Sequence, residues 1–176
     1  MFFVNKPEHG SFKVDSFSVS NFNLNPGNKV LSGKWDAKVS AQNPSGSRLN
    51  MDKVESNLYQ KDVWLASGPF GSFSGYWNDF DSNYNSPNLM EFKFEANNVS
   101  APAEEMEKEI KEAGGVTFNL RLNLMYVSRS SGFFFHMRRG SMKVTCKDLK
   151  LGLSVGANSG SLITDGKPKD CEVSNG

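Results

Sequence analysis

The chain has 176 residues, 38% of them hydrophobic, a formal net charge of +1 and two cysteines. That length and composition fit one folded domain with a sizeable core and exclude a disordered chain. The charge excludes bulk attraction for nucleic acid, and no run reaches the roughly 18 apolar residues that a membrane-spanning helix needs.

The apolar start, Met1-Phe2-Phe3-Val4, is also too short for the hydrophobic region of a signal peptide. As given, the sequence reads as soluble. Charge is uneven along it: residues 1–113 carry 11 Lys/Arg against 15 Asp/Glu, and residues 114–176 carry 9 against 4. Cys146 and Cys171 have no CxxC metal spacing. A bridge between them would close a loop of roughly 25 residues and add about 3 kcal/mol in the chain-entropy view; two reduced thiols are the other reading.

Residues 1–11 read as an N-terminal tail and residues 12–173 as the domain. Phe12-Lys13-Val14 and Phe17-Ser18-Val19 both alternate, with a phase slip between them that marks a bulge or a change of sheet. Asn25-Pro26-Gly27-Asn28 is a turn. Leu31, Gly33, Trp35, Ala37, Val39 and Ala41 then take every second position, which predicts a half-buried strand ended by Asn43-Pro44-Ser45-Gly46-Ser47. A further strand is expected from Lys53 to Tyr59, followed by Val63-Trp64-Leu65. Residues 67–87 are rich in Gly, Ser, Asn and aromatics and read as loop, with a short strand near Phe73.

Met90, Phe92, Phe94 and Ala96 give another strand before the period changes. Ala103, Met106, Ile110 and Ala113 fall at helical spacing, with Ser100 as N-cap, Glu104–Lys108 and Glu107–Lys111 as i,i+4 pairs, and Gly114-Gly115 as the stop. The charged side of this helix reads as a solvated face. From Val116 to Tyr126 the alternation is strict. Further strands follow at Phe133 to Arg138 and at Met142 to Ser154, with a break at Lys147-Asp148. The polar stretch from Gly156 to Lys169 reads as loop, ending in Cys171-Glu172-Val173. Short strands at regular spacing predict a mainly β fold: a fibronectin type III/immunoglobulin-like β-sandwich of about seven or eight strands with one short helix near 101–113.

No catalytic chemistry stands out. With only His9 and His136, no Ser-His-Asp or Cys-His arrangement can be argued. Gly68-Pro69-Phe70-Gly71 opens a glycine-rich stretch without the Lys-Ser/Thr ending of a phosphate loop. Asp79 and Asp81 lack the spacing and terminal Glu of a calcium loop. The expectation is therefore no enzyme, no metal, no cofactor and no small-molecule substrate. The candidate interaction surface lies around Phe133-Phe134-Phe135. If Phe133 and Phe135 are core, Phe134 faces outward with His136 and Arg138, near Arg139 and Lys143; packing under the helix or the tail is the other, favoured reading. An aromatic among cations suits an anionic membrane surface or a protein partner. Asn98-Val99-Ser100 is a glycosylation sequon, meaningful only if the domain faces the secretory lumen.

Several stretches carry a family resemblance. Phe12-Lys13-Val14-Asp15-Ser16-Phe17-Ser18-Val19 leads into Asn21-Phe22-Asn23-Leu24, then Trp35-Asp36-Ala37 and Ala41-Gln42-Asn43-Pro44. Val144-Thr145-Cys146-Lys147-Asp148-Leu149-Lys150-Leu151-Gly152 and Pro168-Lys169-Asp170-Cys171-Glu172-Val173 close the series. In this order they resemble the plant harpin-induced-like family, with its late embryogenesis abundant group 2 domain, over residues 12–173. The resemblance implies a fibronectin-type-III-like sandwich, no catalysis, and a role at the plasma membrane, on its apoplastic face, in defence or stress responses. The membrane-associated reading predicts a Cys146–Cys171 bridge and glycosylation at Asn98. The usual membrane span is not in the sequence as given, where Met1 to Pro7 looks like the end of one. Ser45-Gly46-Ser47 also stands where defence members often have a further Asn or a basic residue. The alternative implied by soluble relatives is a cytosolic protein that protects against desiccation.

Overall fold

Apolar residues at every second position build long strands with one buried face, and the sheet must curl to bring those faces together. A computed structural model describes residues 11–42, 48–68, 88–129, 137–164 and 168–175. In chain order these form β1 (Ser11–Asn25), β2 (Val30–Gln42), β3 (Arg48–Gln60), β4 (Val63–Ser67), β5 (Asn88–Ser100), α1 (Ala103–Ala113), β6 (Gly115–Arg129) and β7 (Met137–Gly152). Three short strands follow: β8 (Gly160–Leu162), β9 (Lys169–Asp170) and β10 (Glu172–Asn175).

The hydrogen-bonded order is β4-β3-β6-β7-β8-β1-β2-β5, antiparallel throughout, with β10 also on β7 and β9 also on β1. The two ends of the series, β4 and β5, touch without pairing. This is one antiparallel sheet nearly closed into a barrel, which corrects the expected two-sheet sandwich. The reason lies in the polar stretch after Gly156, read as loop. It supplies β8 and β9 and leads into β10, and these join β7 to β1 where a sandwich would leave two separate edges. Alternation tells the inside of a strand from its outside, but it does not tell which strands share hydrogen bonds.

Bulges supply the curvature. The ladders shift register between Val14 and Ser16, between Ser20 and Asn23, between Leu31 and Gly33, and between Phe118 and Leu120. Asn21, Asn98 and Asp148 sit at or opposite three of these shifts with positive φ, at 52°, 48° and 58°. Asn and Asp enter this left-handed region more readily than most residues, and each bulge increases local twist and bends the strand. At Asp148 the backbone N–H donates to Asn119 Oδ1 at 3.0 Å, and at Asn98 it donates to Ser32 Oγ at 2.9 Å. The phase slip seen in the sequence after Val14 coincides with the first of these bulges.

The core fills the barrel. Phe17 and Trp35 both meet the ring of Phe118 edge-on, with centroids 6.2 Å and 5.7 Å apart. Such pairs add about 0.5–1.5 kcal/mol beyond the area they bury. Leu120, Leu122 and Leu124 continue the buried row of β6, and Val144 and Met142 face them from β7 in register. On β2, Gly33 lies beneath the Trp35 indole, where an added Cβ would come within 2.8 Å of the ring. A side chain there would overpack the site.

Helix α1 lies at the end where β5 finishes and β6 begins, burying Ala103, Met106 and Ile110. Pro102, not Ser100, holds the N-cap position, and no side chain caps the helix there. Glu107 pairs with Lys111 at 2.9 Å, whereas Lys108 reaches forward to Glu112 at 4.0 Å and not back to Glu104. Gly114 ends the helix at φ 75°, its N–H bonded to Ile110 O, and the Lys150 ammonium donates to Ala113 O at 2.6 Å. A cation on the last carbonyls offsets the negative end of the helix. Among the described residues no helix is long and apolar enough to cross a membrane.

The central place of Phe118 gives a direct test. Phe118→Ala should cost about 3–5 kcal/mol, whereas Met125→Ala, on the outer face, should change stability by less than about 0.5 kcal/mol. Urea denaturation of both variants measures the difference.

Candidate functional site

The outer face of β4, β3, β6 and β7 follows from the same alternation that fills the core. With Leu120, Leu122 and Leu124 inside, Arg121, Asn123 and Met125 face out. Register then sets their neighbours. Arg121 stands opposite Asn57 on β3 and Thr145 on β7, and Asn123 stands opposite Glu55 and Lys143. Asn57, Arg121, Asn123, Lys143 and Thr145, with Tyr59 and Lys147, line a shallow cleft of about 410 Å³, and Glu55 lies beyond it. A second, smaller depression of about 190 Å³ continues along the face past Lys53, Met125, Ser141 and Lys143.

The cleft has defined internal contacts. The Arg121 guanidinium lies over the Tyr59 ring, 4.2 Å from its centroid. Such a cation–π contact leaves the guanidinium edge free to bind an anion. Trp64, on β4 opposite Tyr59, is 52% exposed. Its indole N–H donates to Asn57 Oδ1 at 3.1 Å, and the same oxygen accepts from the Ser67 hydroxyl at 2.7 Å. The indole is thus fixed in orientation with its ring toward solvent. Lys147 pairs with Glu172 at 3.1 Å and Lys53 with Glu55 at 3.2 Å. Arg121, Arg139 and Lys143 form no ion pair among the described residues.

Of the residues singled out from sequence, Arg139 and Lys143 are exposed on β7. Arg138 belongs to the same strand, opposite Ser128. Phe134 and His136 lie outside the described residues, as do Asp79, Asp81 and Phe73. The structure therefore brings Lys143 into one cleft with Tyr59 and Arg121, a cation not singled out from the sequence, whereas Arg139 lies further along the outer face of β7, opposite Val127. The signal for Arg121 was present: it lies midway along the polar side of the clearest alternating strand. What the sequence does not show is the cross-strand register that sets it beside Lys143 and Tyr59.

Asn98 is exposed near the end of β5 and accepts a hydrogen bond from the Ser32 hydroxyl at 3.3 Å. Cys146, fully buried on β7, is joined by a disulfide to Cys171, which is half-buried between β9 and β10. The β10 ladder sets Glu172 opposite Thr145, so Cys171 and Cys146 are the next residues in the same register, with Cα atoms 4.3 Å apart. The Cys171 backbone N–H donates to Phe12 O on β1 at 2.9 Å. One residue thus links β7 through its side chain to β1 through its backbone.

Among the described residues no group of three or more His, Cys, Asp or Glu side chains could hold a metal ion. Comparison with models of known protein families finds none that matches the chain, and comparison with curated proteins finds no match.

Replacing both cysteines by serine should lower stability by about 3 kcal/mol, the contribution of a loop of this length. Urea denaturation, with midpoint and slope fitted separately for each protein, reads this out.

Proposed function

We propose that this chain is a non-catalytic binding module of the stress- or defence-response kind, and that it docks on an anionic membrane surface through the outer face of β6 and β7. The observation that carries the reading is the group Arg121, Arg139 and Lys143. They face outward on two neighbouring strands, without carboxylate partners among the described residues. A Lys or Arg near an anionic lipid surface contributes about 1 kcal/mol. Three of them supply roughly two decades of affinity.

Apolar groups on the same face suit the role. Trp64 and Met125 are each 52% exposed. An indole with its N–H already satisfied can place its ring at the headgroup level. The resemblance of the Cys146 and Cys171 contexts to the harpin-induced-like family supports the stress or defence setting. The disulfide supports an oxidising compartment, such as the apoplastic face of the plasma membrane, over the cytosolic alternative.

Vesicle cosedimentation tests the reading. The protein should bind phosphatidylserine-containing vesicles more tightly than phosphatidylcholine vesicles, and less so as salt rises. The triple variant R121E/R139E/K143E should bind at least about a hundredfold more weakly. Equal binding to both vesicle types, or unchanged binding by the triple variant, would remove the proposal.

A further inference from the structure

Residues 169–175 hold together two strands that do not pair with each other. β9 bonds β1 through Lys13–Asp170 and Val14–Lys169, and β10 bonds β7 from Thr145–Glu172 to Met142–Asn175. The segment changes partner at Cys171, where the disulfide also sits. We infer that this segment is a redox-released strand: reduction of Cys146–Cys171 frees it, and the vacated seam between β1 and β7 accepts the same segment from a second copy of the chain.

The covalent bond is the principal tether. Beside it stand two short ladders, the Cys171 N–H bond to Phe12 O, a half-buried side chain (Val173) and two exposed polar links. Those links are the Lys147–Glu172 pair at 3.1 Å and the Lys169 ammonium donating to Asp148 O at 3.1 Å. Exposed ion pairs hold a strand weakly, and ladders this short are marginal alone.

Accessibility sets the order of events. Cys171 is half-buried and Cys146 fully buried, so a dithiol reductant meets the Cys171 sulfur first. One reductant thiolate bonds to Cys171 and expels Cys146 as a thiolate, which takes up a proton. The second reductant thiol then displaces Cys171 and closes a cyclic disulfide. Two electrons and two protons pass from the dithiol to the cystine.

The occupant that fits the opened seam is the one seated there now. It sets Val173 opposite Val144, brings a cysteine opposite Cys146, and switches partner within one residue. Reciprocal exchange of the segment closes as a dimer and leaves neither edge unpaired.

The test mixes equal amounts of unlabelled and ¹⁵N-labelled protein, reduces them together at high concentration, and reoxidises with oxidised glutathione, which leaves as two glutathione thiols. Size fractionation and non-reducing peptide mapping follow. A dimer is expected in which about half of the Cys146–Cys171 peptides join a light chain to a heavy one. Monomer alone, with only same-label bridges, overturns the inference. Hydrogen exchange of monomeric Cys146→Ser/Cys171→Ser protein provides a second reading. Residues 169–175 and their partners on β1 and β7 should exchange faster while the β6 amides stay protected. No change in 169–175, or an equal loss of protection in β6, overturns it as well.

Discussion

The fold depends on the seam between β1 and β7. On one side of it β7, β6, β3 and β4 form a ladder, and on the other β1, β2 and β5 form a second. Nothing in the packing of either ladder requires them to be continuous. What makes them one sheet is the chain after β7. β8 pairs with both strands at one level, and β9 and β10 divide between them at another. At the divide, Cys171 bonds β7 through sulfur and β1 through its backbone N–H. The disulfide therefore does more than restrict the unfolded chain; it fixes the point at which a short strand changes partners.

Once the seam is closed, the remaining features follow from curvature. Bulges near Asn21, Asn98 and Asp148 bend the long strands around a common interior. The concave side takes Phe17, Trp35 and Phe118, and the helix buries Met106 and Ile110 against the same core. The convex side keeps the alternate residues in solvent. The basic and aromatic outer face is thus the complement of the core rows of β3, β6 and β7, and its position is set by packing it takes no part in.

Much of this is legible in the sequence, and the rest is hidden for physical reasons. The rows Leu31 to Ala41 and Val116 to Tyr126 show which residues face inward, and the structure buries Trp35, Phe118 and Leu122 accordingly. The 3.6-residue spacing of Met106 and Ile110 shows the helix, although its N-cap lies at Pro102 and Lys108 pairs with Glu112. The sandwich expectation failed because strands of two to four residues, such as Gly160–Leu162 and Glu172–Asn175, carry too few alternating positions to leave a pattern. The same limit applies to the candidate site. Arg139 and Lys143 are visible as charges on a strand, but the pairing of Asn123 with Lys143 and of Arg121 with Thr145 is a matter of register. Register depends on the hydrophobic patterns and turns of the paired strands together, shifted here by bulges, so it is not readable from one strand alone.

The seam also connects stability to the outer face. β10 flanks β7 on the side away from β6, and Glu172 neutralises Lys147 at the edge of the cleft, so the C-terminal segment helps determine how much positive charge that face presents. The most direct measurement is a ¹⁵N-edited NOESY spectrum of the oxidised protein, read for contacts of residues 169–175. The one-sheet account predicts cross-strand contacts from Asp170 to Lys13 on β1 and from Glu172 to Thr145 on β7 in the same molecule. Contacts from this segment to only one of those strands, with β8 also lacking contacts to one of the two, would leave two separate sheets and contradict it.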